Sequence, residues 1–123
     1  MKVSYLITCK DETDTLRDLL DRVHQAIEVD GCEGDEVVIV VDSKNNGDDI
    51  NQVTSEILYQ YTGYSDVNWY CHLLDNNYGA HKNFGNEMCS GDYIFQLDGD
   101  ELPSELTVGE NLHSIIEANP GTE

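Results

Sequence analysis

Asp98, Asp100 and Glu101 place three carboxylates in four positions, directly after the short apolar run Tyr93-Ile-Phe-Gln-Leu97. Two carboxylates about 4 Å apart repel by roughly 4 kcal/mol at an effective dielectric near 20, so such a pair needs a shared cation, a shared proton or open water. Carboxylate oxygens suit a hard divalent cation, and magnesium-type sites take one or two of them and fill the shell with water and substrate phosphates. On an extended chain Asp98 and Asp100 leave on one side, and Gly99 lets the backbone turn or approach a ligand closely. A solvated acidic loop is the plainer reading of the three residues taken alone. A calcium-binding helix-loop-helix is disfavoured because Pro103 stands where that loop requires glycine.

Further acids stand at comparable places, Asp11-Glu12 after Val3-Ser-Tyr-Leu-Ile-Thr8, Asp42 after Val37-Val-Ile-Val-Val41, and Asp75 with two asparagines after Val67 to Leu74. Periodicity gives the secondary structure around these acids. The four apolar runs read as strands, the second of them β-branched throughout and suited to a centre buried on both faces. Between them, helical spacing links Leu16, Leu19, Leu20, Val23, Ala26 and Ile27, with Thr13 as N-cap. The same spacing links Ile50, Val53, Ile57, Leu58 and Tyr61, then Ala80, Phe84 and Met88 within 79–89. A last helix opens at Pro103, with Leu106, Leu112, Ile115 and Ile116 inward. Four strands alternating with helices predict an α/β fold with a mostly parallel sheet, in which ligands bind beyond the carboxyl ends of the strands. The acids converge on that edge, which favours a site over a merely solvated surface.

Composition narrows the partners. The 123 residues carry 25 acidic against 6 basic side chains, a net charge of −19. Such a chain repels nucleic acid and anionic membrane and makes any phosphorylated ligand depend on a cation brought along or on a few placed donors. Cys9, Cys32, Cys71 and Cys89 contain no C-x-x-C pair, which argues against zinc and fits a reducing cytoplasm. No stretch has the length of a membrane span, and Val3 to Ile7 is too short for a signal peptide. One domain, 1–123, is expected.

With the motifs in this order, the chain resembles the nucleotide-sugar half of family 2 glycosyltransferases of the Rossmann-like GT-A fold. Thr8-Cys-Lys-Asp-Glu12, Val-Val-Ile-Val-Val-Asp42, Asn77-Tyr-Gly-Ala-His-Lys-Asn83 and Ser-Gly-Asp-Tyr-Ile-Phe-Gln-Leu-Asp-Gly-Asp100 carry the likeness, from residue 2 to about residue 110. The resemblance implies a UDP-sugar donor, with Thr8 and Glu12 lining the uracil pocket and Asp42 accepting from the base. It implies that Asp98-Gly99-Asp100 is the DXD motif, with Asp98 near ribose and metal and Asp100 ligating the manganese or magnesium ion that bridges the phosphates. Lys82 stands where the family often has arginine, and Asn83 matches its asparagine. Lys10 departs from the aromatic residue that many relatives stack on uracil; Tyr78 is a substitute for that stack or packs under its loop.

The chemistry is consistent with these roles. Uracil's N–H, flanked by two carbonyls, suits a carboxylate reader, and a metal can stabilise a departing diphosphate by several kcal/mol. His81 and Lys82 would add positive charge near the phosphates, or else face solvent at a helix start. Trp69 reads as core. No residue is assigned as general base; an acid of this chain, a second subunit in a homo-oligomer, or slow use of water as acceptor are the alternatives. The expectation is therefore a metal-dependent transferase domain acting on an acceptor of unspecified chemistry, with a nucleotide-sugar-binding module that transfers nothing as the alternative. A receiver-like phosphoacceptor domain is disfavoured, since its acid pair would follow the first strand.

Overall fold

The computed structural model describes residues 2–11, 13–29, 34–43, 50–61, 63, 64 and 66–98. The helix expected from Pro103 onward lies outside them, as do Glu12, Gly99 and Asp100.

Four strands and three helices alternate along the chain: β1 Val3–Cys9, α1 Asp14–Val29, β2 Glu36–Val41, α2 Gln52–Tyr61, β3 Val67–Cys71, α3 Tyr78–Met88 and β4 Tyr93–Asp98. All pairings are parallel, in the order β3-β2-β1-β4. This is the α/β sheet flanked by helices that the alternating pattern predicts.

The pleat divides the core into two faces. Val3, Tyr5 and Ile7 of β1 and Val37, Ile39 and Val41 of β2 point to one side, where they meet Leu16, Leu19, Leu20, Val23 and Ile27 of α1 and Ile57, Leu58 and Tyr61 of α2. Leu6, Val38 and Val40 point to the other, against Tyr70, Phe84 and Met88. Each fully buried aliphatic side chain contributes about 1.5–3 kcal/mol relative to exposure, and the two central strands and the inner faces of α1 and α2 supply most of them. Trp69 packs partly buried at the margin of the first core, as expected, with its ring edge-on to Tyr59 at 5.8 Å.

The two faces follow from one rule. Crossovers between parallel strands are right-handed. From β1 to β2 to β3 the chain moves one way, which places α1 and α2 on the same side. From β3 it returns across β2 and β1 to reach β4, and the same handedness puts α3 on the opposite face. The reversal leaves β1 and β4 adjacent at the point where the strand order changes direction, the place where α/β sheets open a crevice.

The first turn of α1 bonds back to Thr13, whose carbonyl accepts from Arg17 N at 2.9 Å, in keeping with an N-cap there. Two expected boundaries move. The third strand stops at Cys71 rather than Leu74: the His72 amide makes one more bond to the Val41 carbonyl, and the Leu74 amide then turns to the Asp42 side chain. The buried face of α3 is His81, Phe84, Gly85 and Met88, with Ala80 exposed. Gly85 sets that rotation, since a Cβ there would lie 2.9 Å from Leu6 Cδ1, so the helix backbone rests directly on the sheet. Likewise Val53 of α2 is 41% exposed and Thr54 is buried in its stead.

Candidate functional site

The carboxyl edge of the sheet gathers Thr8, Asp42 and Asp98. Thr8, half-buried, lies in register with Val40 on one side and Asp98 on the other. Asp42 extends the β1–β2 pairing by one bond, its amide donating to the Cys9 carbonyl at 2.8 Å. With strands about 4.8 Å apart, three candidate residues from three strands share one end of the sheet. Asp98 is the last residue of β4, so the acidic tip leaves the sheet beside β1, at the reversal of strand order.

Asp42 is the most connected of them. Its Oδ1 accepts from the Leu74 amide at 2.8 Å, and Lys10 Nζ lies 3.7 Å from Oδ2. Lys10, in the position discussed for base stacking, therefore contributes a cation beside the carboxylate expected to read the base. The Leu74 bond also holds the loop after β3. Asp75 and Asn76 then adopt positive φ of 47° and 58°, a left-handed turn that Asp and Asn tolerate better than most residues. Asn77 caps α3, its side chain accepting from the Ala80 amide at 3.1 Å. A chain of bonds thus runs from the end of β2 through this loop to the start of α3.

His81 sits in the first turns of α3 and is 7% exposed. Its Nδ1 lies 2.9 Å from Nδ1 of His72, just beyond β3, and the His72 ring stacks on Phe84 at 4.5 Å. Burial, and then the nearby His72, push the His81 pKa below the ordinary 6.5, while Asp42 acts in the opposite sense. At neutral pH His81 is an uncharged, buried partner of His72. Its burial removes the solvent-facing alternative for it. Lys82 is exposed on the same helix, as is Asn83. Tyr78 is 73% exposed, so packing under its loop is excluded.

Sequence reasoning missed His72, and the reason is plain. It stands at a strand end with no spacing to a partner on its own element, and only the β3–α3 connection brings it to His81. The Leu74 amide, a backbone group, has no sequence signal at all.

Glu12, Gly99 and Asp100 are outside the described residues, and of Asp98 only the backbone is described. Among the described residues no three His, Cys, Asp or Glu side chains come together to hold a metal ion. Asp98 and Asp100 are not tested by that finding. Among the described residues no helix is long and apolar enough to cross a membrane.

The fold and this edge define a Rossmann-like GT-A domain. The family described as Glycosyl transferase family 2 matches residues 4–120, and the chain belongs to it. Among solved structures, residues 1–349 of S. aureus TarS are similar at a TM-score of 0.64 and 20% identity, over 96% of this chain and 33% of that one. At that identity the likeness speaks for the fold, and the chain spans about one third of that protein's length. No curated protein matches.

Proposed function

We propose that residues 1–123 form the nucleotide-sugar-binding domain of a metal-dependent glycosyltransferase that takes a UDP-sugar and transfers or hydrolyses the sugar. The observation that carries this reading is the shared carboxyl edge of β1, β2 and β4, where Thr8 and Asp98 stand in register at the reversal of strand order and Asp42 follows β2 on the other side of β1. Asp42 faces the base and Thr8 lines its pocket together with Glu12. Asp98 and Gly99 lie along the ribose and diphosphate, and Lys82 faces the phosphates from α3. A manganese or magnesium ion held by Asp98 and Asp100 would bridge the phosphates and stabilise the charge that develops on the leaving diphosphate. With net charge −19, such a cation would also offset the repulsion between the protein and a diphosphate.

The test is calorimetric titration of UDP and GDP with manganese and again with chelator, followed by assay of UDP released from UDP-sugars. Manganese-dependent UDP binding with release supports the enzyme. Binding without release favours a module that holds the donor for an acceptor-binding part. Absence of binding in both conditions overturns the reading. Asp100→Ala is expected to abolish metal-dependent UDP binding with the thermal melt unchanged, and retained affinity with manganese would reject its ligand role.

A further inference from the structure

Among the described residues, the His72–His81 pair is a side-chain bond between α3 and the end of β3. It joins them through two imidazoles, the side chain whose ordinary charge change falls closest to neutral pH. The two Nδ1 atoms are 2.9 Å apart, so one must carry the proton and the other accept it. The pair therefore holds with both rings neutral or with a single added proton. With both rings protonated each Nδ1 is a donor, and two donors carrying like charge cannot bond. Phe84 stacks on His72 and His81 is buried, so the rings have little room to turn away while α3 stays docked.

The charged groups around the pair, among the described residues, come from each neighbouring element. Asp42 ends β2 and acts on His81 directly. Lys10, after β1, is paired with Asp42 and offsets part of its charge. Asp75 after β3 and Lys82 on α3 are exposed. Burial outweighs the single nearby carboxylate for His81. The sign follows. A histidine whose folded pKa is depressed keeps its full contribution above its ordinary value of 6.5 and loses it as pH falls below that value.

We infer that His72 and His81 are positioning residues whose shared hydrogen bond docks the start of α3 beside Asp42, and that entry of a second proton undocks it, coupling loss of nucleoside binding to acid. This rests on the reading of Asp42 as the base-contacting group. The same loop that joins the two histidines carries the Leu74 amide bonded to Asp42, so movement of α3 is felt at that carboxylate.

Uridine is the probe, because it has no phosphate to titrate and needs no metal. Its affinity for the full chain is measured at about pH 7.5 and about pH 5.0, in the wild type and in His72→Asn. An asparagine amide places a donor or an acceptor where Nδ1 stood and takes up no proton, so its bond to His81 survives acid. The wild type is expected to weaken about tenfold or more across this range, and H72N to change by no more than about twofold. Uridine binding with the same pH ratio in both proteins overturns the inference and leaves the donor reading standing. If neither uridine nor UDP binds at either pH, the donor reading fails. The pair is then judged by exchange of the His81 amide, which bonds to the Asn77 carbonyl at 3.1 Å. Acid-induced loss of its protection in the wild type but not in H72N supports undocking, and equal protection overturns it. Should H72N not fold, His81→Asn provides the same comparison.

Discussion

Oδ1 of Asp42 accepts the Leu74 amide while Oδ2 lies near Lys10, so a substitution there changes loop geometry and charge together. Alanine would strand the Leu74 amide at a cost of about 1–3 kcal/mol, which confuses a binding result with a folding one. Asparagine separates them, because its carbonyl can keep the Leu74 bond while the charge is lost. Asp42→Asn is expected to melt within a few degrees of wild type and to lose the preference for UDP over GDP, measured by calorimetry; an unchanged preference would reject Asp42 as base reader. The position of Asp42 was legible because an acid directly after a β-branched run has one place to go, the carboxyl edge. The burial of His81 was not legible, for the opposite reason. Its burial depends on Gly85 bringing α3 onto Leu6, a contact between elements that helical spacing in α3 does not encode.

Among the elements, the end of the sheet far from the site is held as firmly as the site itself. Glu36, at the start of β2, accepts from Ser4 Oγ, from Ser90 Oγ at 3.0 Å and from the Ser90 amide, with Lys2 Nζ 3.8 Å from its other oxygen. Burial raises the Glu36 pKa, but these bonds and the lysine together outweigh it and hold the group below 4.5. A depressed carboxylate stabilises the fold above its ordinary value and loses that contribution as pH falls. Glu36→Gln is therefore expected to lower stability near neutral pH by about 1.5–3 kcal/mol, the range for bonds to a charged group. It should also flatten the acid limb below about pH 4.5 in urea melts taken against pH. Beside it, Gly91 has no room for a side chain, since a Cβ would lie 2.7 Å from Ser4 N and 3.0 Å from the Lys2 carbonyl. Backbone cannot yield as a flexible side chain can, so Gly91→Ala should cost about 1–3 kcal/mol or more, read as a lowered urea midpoint with an unchanged slope. The strands and helices of this clamp were legible in the apolar periodicity. The clamp itself was not, because Ser4, Glu36 and Ser90 are remote in sequence and meet only through the parallel register.

Across the whole molecule, 25 acids against 6 bases impose self-repulsion that the fold must overcome. Salt at about 0.15 M shortens the reach of exposed charges to roughly 8 Å. Thermal midpoints should therefore rise as sodium chloride is added from low ionic strength, and a flat or falling midpoint would show that repulsion is not limiting stability. The order β3-β2-β1-β4 carries a different consequence, for the sequence in which the chain assembles. Strands β1 to β3 join neighbours along the chain, whereas β4 must find β1 across about ninety residues, Val3 pairing with Tyr93. Contacts between such distant segments pay their loop-closure entropy first and form late. During synthesis, then, a ribosome-bound chain that has released β3 can already pair β1, β2 and β3, while the apolar Val3–Cys9 strand presents a bare edge until β4 emerges. That interval, rather than any state of the finished protein, is when this domain is most exposed to aggregation and to chaperones.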